Sequence, residues 1–138
     1  MSKIMKPGFF YGLYMDADWL RELGFNPLNP RLAVLDGWAL DLNGAAKIKR
    51  QPGEQVWGML IDLAEEDLAK MYGNEATKDY RPEWVEAQGP QGIEGAVCYN
   101  QKPQPGTAFN REYGDKLIQA AQRLGLPQEY VAGLKSLS

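Results

Sequence analysis

The apolar positions of this chain fall into short runs of two kinds. "GFFYGL" at 8–13 is an aromatic run that reads as a strand, and "RLAVLDGWALDL" at 31–42 reads as a second, bent at Gly37. "NG" at 43–44 signals a hairpin, "AAKIKR" at 45–50 its return strand, and "QPGE" at 51–54 a further turn. "QVWGMLIDL" at 55–63 is nearly all apolar, which places it at the centre of a sheet. "PEWVEAQ" at 82–88 and "GIEGAVCYN" at 92–100 form a last hairpin across "GPQG".

Elsewhere the spacing is that of helices. In "MDADWLREL" at 15–23, Asp16 caps, Trp19, Leu20 and Leu23 share a face, and Gly24 stops the run. "AEEDLAKMY" at 64–72 carries acids in its first turn and ends at Gly73. "NREYGDKLIQAAQRL" at 110–124 is the longest helix: Asn110 caps it, and Tyr113, Leu117, Ala120, Ala121 and Leu124 recur on one face. Gly125 ends it, and Pro127 opens a final helix, "PQEYVAGLKSL". Strands come first, with helices at the junctions and the end. That order predicts an α+β chain with a curved antiparallel or mixed sheet, either open or closed into a small barrel. Its 138 residues are expected to form a single domain, 1–138, with one core.

Composition removes several kinds of chemistry. The chain has no histidine, so a Ser-His-Asp triad, a Cys-His pair and a His-ligated zinc are excluded. The one cysteine, Cys98, lies in the apolar run "AVCY" and reads as a buried, inert thiol; this usage fits a reducing, cytoplasmic compartment. A net charge of −3 gives no reason to expect nucleic acid, and Lys47-Ile48-Lys49-Arg50 reads as the solvated face of a strand. "PGFFYGLYMD" is too short to span a membrane and lacks the features of a signal peptide. The acids Asp16 and Asp18, and Glu65, Glu66 and Asp67, fall in first helical turns, where the helix dipole accounts for them, so no metal is expected.

Three places remain where chemistry can reside. A strand that ends at Gly12 and feeds a helix turns backbone N–H groups outward, which suits a carboxylate or an oxyanion; the same residues also fit an ordinary strand–helix turn. Glu75 follows a helix stop and sits between Tyr72 and Tyr80. A half-apolar wall there would raise its pKa toward that of a general base, whereas most glutamates are simply solvated. Tyr11, Tyr14, Tyr80, Tyr99 and Tyr113 can pack in a pocket and also hydrogen-bond a ligand, or serve as ordinary core and rim.

Four segments, in order and spacing, resemble the γ-glutamyl cyclotransferase-like family: "FFYGLYMD", "PGEQVWGMLIDLAEEDLAKMYGNE", "TKDY" and "EYGDKLIQAAQRLGLPQEYVAGL". They run from Phe9 to Leu134. The resemblance implies a compact mixed, mostly antiparallel β-barrel flanked by short helices. It implies a cofactor-free reaction in which the α-amine of a γ-glutamyl group attacks its own side-chain amide, releasing 5-oxoproline and an amine or amino acid. It also implies roles: Glu75 as general acid and base, and Tyr11, Gly12, Leu13, Tyr14, Tyr80 and Tyr113 as substrate-binding residues, with no metal. The expected partner is a small γ-glutamyl molecule, with no nucleic acid and no membrane, and the expected assembly a monomer or weak homodimer.

The chain departs from the family at three points. Leu13, followed by the bulky Tyr14, stands where the family has a small polar residue after Tyr-Gly, Met71-Tyr72 replaces a common Leu-Asp, and Ala76 replaces a Gly. Two functions therefore follow. The first is a cyclotransferase, with a pocket in which Glu75 faces the N–H groups of residues 12–14. The alternative is a catalytically inactive small-molecule-binding or interaction protein that retains the same fold.

Overall fold

A computed structural model describes residues 4–103 and 106–137, apart from the side chain of Ala76. Gln104 and Pro105 lie outside the described residues. The strands are β1 (Met5–Phe10), β2 (Leu28–Asp41), β3 (Lys47–Ala64), β4 (Arg81–Gly89) and β5 (Gly92–Asn100). The helices are α1 (Ala17–Glu22), α2 (Glu65–Met71), α3 (Arg111–Arg123) and α4 (Gln128–Lys135). Short 3-10 turns occupy Leu13–Met15 and Glu75–Thr77.

The strands close a barrel in the order β1-β3-β2-β4-β5. Neighbours are antiparallel except at the closing seam, where β1 and β5 run parallel with Gly8 opposite Val97. This is the expected α+β barrel. β3 pairs with β1 on one side and β2 on the other, and Val56, Leu60, Ile61 and Leu63 are buried along it. The caps are those the sequence signals. Asp16 accepts from the N–H groups of Asp18 and Trp19, and Asn110 from that of Tyr113. α3 buries Leu117, Ala120 and Ala121, and α4 adds Val131 and Leu134. Cys98 is fully buried, and burial pushes its thiol pKa far up, so it is inert. Among the described residues, no helix is long and apolar enough to cross a membrane.

Three local expectations are corrected. "QPGE" does not turn the chain. Asp36 pairs with Gln55 and Trp38 with Arg50, so Gln51 to Glu54 bulge from a β3 that continues on either side. The unbroken partner strand β2 holds both halves in one ladder, and Gly53, at φ +87°, supplies the left-handed backbone the bulge needs. "NG" does not make a two-residue hairpin either: the last ladder pair is Asp41 with Lys47, so the connection runs over 42–46.

The third correction is Lys47, which is buried rather than solvated. Its Nζ donates to the carbonyls of Asn43 at 2.5 Å and Ala45 at 2.8 Å and lies 4.0 Å from Asp41. A buried ammonium is stable only with its protons taken, and here they tie the connecting turn together. Lys49 and Arg50 are exposed as expected, with Arg50 over the Trp38 ring. Beside this turn, the Asn100 side chain accepts from the N–H of Ile48 at 3.0 Å and donates to its carbonyl at 2.9 Å. That pins the start of β3 to the end of β5, and so places Ala45 and Ala46.

Candidate functional site

The site forms where the turn after β1, the start of α3 and the β2–β3 connection meet. Tyr11 leaves β1 buried, and its phenol donates to the carbonyls of Tyr99 at 3.0 Å and Ala46 at 3.4 Å. Gly12 precedes the first 3-10 turn. The N–H of Leu13, the first residue of that turn, donates to the Tyr113 hydroxyl at 3.0 Å. A Cβ on Gly12 would stand 2.3 Å from that oxygen, so the close approach requires glycine. Tyr14 donates to the carbonyl of Met71 at 3.0 Å, stacks on Trp19 at 5.4 Å and meets Tyr72 edge-on at 5.5 Å. Tyr72 in turn stacks on Tyr99 at 4.0 Å, and Tyr80 donates to the Ala46 carbonyl.

These groups enclose a cavity of about 410 Å³. Among the described residues, no side chain lining it carries a charge. Burial raises the pKa of Tyr11, Tyr14, Tyr72 and Tyr80, and pushes that of Tyr113 up to about 12. At neutral pH these phenols are therefore donors, not bases. Tyr11, Tyr14 and Tyr80 spend their protons on main-chain carbonyls. Tyr113 differs, because its oxygen accepts from Leu13 and, among the described residues, its own proton has no acceptor.

The structure brings Tyr11, Gly12, Leu13, Tyr14, Tyr80 and Tyr113 together as lining of this one cavity. Tyr99 lies behind it, against Tyr72. Glu75 is placed otherwise. Its side chain is 88% exposed, Lys78 Nζ donates to its Oε1 at 2.9 Å, and it is not among the lining residues. The half-apolar wall expected around it is absent, since Tyr72 and Tyr80 face each other at 5.7 Å and line the cavity. The reason is local. Thr77 and Asn74 exchange capping hydrogen bonds across the second 3-10 turn, which brings Thr77 to the cavity and leaves Glu75 on the rim.

Trp19, Tyr72, Thr77, Asn110, Ala45 and Ala46 also line the cavity. In sequence, Trp19 reads only as a helix-face residue and Asn110 only as a cap. Their part in the site arises when distant elements meet, which no local spacing signals. A wider groove of about 920 Å³ runs between the 51–54 bulge and α4, but it contains none of these residues.

Three solved structures share this architecture. One is a γ-glutamyl cyclotransferase, 19% identical, with a TM-score of 0.83 over 98% of this chain and 89% of that one. A second is an uncharacterised protein from Homo sapiens, 21% identical, with a TM-score of 0.80 over 97% and 88%. The third is YkqA from Bacillus subtilis, 22% identical, with a TM-score of 0.77 over 96% of this chain; this chain spans 54% of YkqA. At such identities the likeness is one of fold. Comparison with curated proteins finds no match. The sequence pattern of the AIG2-like family matches over residues 55–134. That span holds the second half of β3, the rim turn, the β4–β5 hairpin and the Asn110–Tyr113 corner of the cavity, and on it the chain belongs to the AIG2-like family.

Proposed function

We propose that the protein is a γ-glutamyl cyclotransferase-type enzyme acting on a small γ-glutamyl amide held among the tyrosines. One observation carries this reading: the Gly12 turn, Tyr80 and Tyr113 line a single uncharged cavity, and the turn bearing Glu75 forms its rim through Thr77. Within it, a curled substrate brings its α-amine onto its own side-chain carbonyl. The amine nitrogen bonds to that carbon, the bond to the leaving nitrogen breaks, and 5-oxoproline and a free amine result. Glu75 takes the proton given up by the α-ammonium and returns one to the departing nitrogen. Tyr113 donates to the oxygen on which charge develops, in place of the Leu13 N–H that it already holds. Holding the substrate curled is itself a large part of the rate.

Glu75 reaches the substrate from the rim only by releasing Lys78. Both partners are mostly exposed, and pairs of that kind contribute about 0–1 kcal/mol. Their separation is a minor obstacle beside the barrier of an acyl transfer. A second reading, binding without turnover, is favoured by the same exposure of Glu75 and by the lack of a carboxylate in the cavity lining.

Mass-spectrometric detection of 5-oxoproline, from γ-glutamyl amino acids, γ-glutamyl amines and glutathione, separates the two. Product from the wild type and none from Glu75→Gln supports the enzyme. Ligand binding without product supports the second reading, and product undiminished in Glu75→Gln removes Glu75 from the mechanism.

A further inference from the structure

The cavity lining has two unlike parts, joined by the 3-10 turn that carries both Leu13 and Tyr14. At one, the Gly12 turn, the Tyr113 hydroxyl with its free proton, and Asn110 converge. At the other, Tyr14, Trp19 and Tyr72 form a wall of rings. That wall is fixed before any ligand arrives. The Tyr14 phenol is anchored on the Met71 carbonyl, its ring lies 23° from the plane of Trp19, and Tyr72 is backed by Tyr99 at an interplanar angle of 6°. A volume of about 410 Å³ is in the range that holds a whole drug-sized ligand. The cavity therefore has room for both halves of a γ-glutamyl amide, not the glutamyl group alone.

We propose that the Tyr14–Trp19–Tyr72 wall is a leaving-group subsite, and that it selects a γ-glutamyl amide whose substituent carries an uncharged aromatic ring over one bearing a carboxylate. This rests on the cyclotransferase reading above. The polar part takes the amino-acid end of the glutamyl group, so the amide substituent extends along the rings. An aromatic substituent gains apolar burial and ring contact there, at little ordering cost because the wall is already in place. A carboxylate at the same place loses its water and meets no lining cation. Lys78, on the rim turn, does not repair this, because it is 62% exposed and is not among the lining residues, so its charge is screened by solvent.

The test compares kcat/KM for 5-oxoproline release from γ-glutamyl-benzylamide and γ-glutamylglycine, both alkyl amides. In parallel, isothermal titration calorimetry compares binding of glutaric acid monobenzylamide and glutarylglycine, which lack the α-amine and cannot cyclise. The benzyl compound is expected to be preferred about tenfold or more in each assay. Trp19→Ala and, separately, Tyr14→Leu are expected to flatten that ratio. Product from both substrates with a ratio near one, or favouring glycine, overturns the subsite and leaves the cyclotransferase reading standing. No product from either, with the benzyl analogue still bound tenfold tighter, overturns the cyclotransferase reading and leaves the subsite as a binding site. Equal or absent binding without product overturns both. A wild-type ratio in both folded variants overturns the assignment to this wall.

Discussion

The backbone N–H of Leu13 donates to the hydroxyl of Tyr113, 3.0 Å away and 100 residues further along the chain. This contact joins the turn after β1 to the first turn of α3. It depends on Gly12, since any Cβ there would occupy the space of the phenol oxygen.

Gly12→Ala is expected to push the phenol back and free the Leu13 N–H, at about 1 kcal/mol or somewhat more. In Tyr113→Phe the oxygen is gone, and the added methyl meets ring carbon at 3.6 Å, which is ordinary contact. A double-mutant cycle by urea denaturation checks this. The cost of Gly12→Ala should shrink clearly in the Tyr113→Phe background, and strict additivity would show that the methyl and the hydroxyl do not collide.

High pH should destabilise the fold through its phenols. Tyr11, Tyr14, Tyr72, Tyr80, Tyr113 and Tyr130 all have pKa values raised above the ordinary 10.0, chiefly by burial. Below pH 10 these groups are protonated in both folded and unfolded chains and favour neither. Above it, the unfolded chain loses its phenolic protons first, so stability falls as pH rises, through about 12 for Tyr113. Ultraviolet absorbance at pH 10 to 11 should show far less phenolate in the native protein than in the chain unfolded in urea. Equal amounts would mean that the cavity is open to solvent.

Low pH should act through Arg31. Its Nε and Nη2 donate to the two Glu94 oxygens at 2.9 and 2.7 Å, and its guanidinium reaches Asp62 at 3.3 Å, linking β2, β5 and β3. Hydrogen bonding to Arg31 holds the Glu94 carboxyl below the usual 4.5. The stabilisation is therefore present above pH 4.5 and is lost as the pH falls below it. Arg31→Leu should cost about 1–2 kcal/mol at neutral pH. Its stability should also fall less steeply with acid than the wild type's, as seen in melts between pH 3 and 6.

The sequence carried the fold further than the site, for physical reasons that particular residues show. Asp16 and Asn110 cap helices through contacts within three residues, and apolar runs reveal strands wherever they lie, so these elements are legible. Lys47 was not, because its burial depends on carbonyls exposed by a turn whose length the "NG" signal does not fix. The "QPGE" bulge was not, because only the partner strand decides whether Pro and Gly turn a chain or bulge from it. Tyr11, Tyr14, Tyr80 and Tyr113 line one cavity because distant elements meet, which no local spacing signals. The exposure of Glu75 follows from which side of a 3-10 turn faces the cavity, and that is settled by the Asn74–Thr77 capping contact.

The parallel seam of the barrel sets an order of events. The β2–β3 and β4–β5 hairpins join residues near one another in sequence and can form early. The seam requires residues 8 and 97 to meet, a long loop closure that is slow by comparison. The cavity comes later still, because its walls combine the turn after β1 with the beginning of α3. A chain emerging from the ribosome has no site until residue 113 is free. The cavity is therefore complete only after the barrel has closed and Tyr113 has reached the turn after β1, and a partly folded chain leaves these tyrosines in solvent.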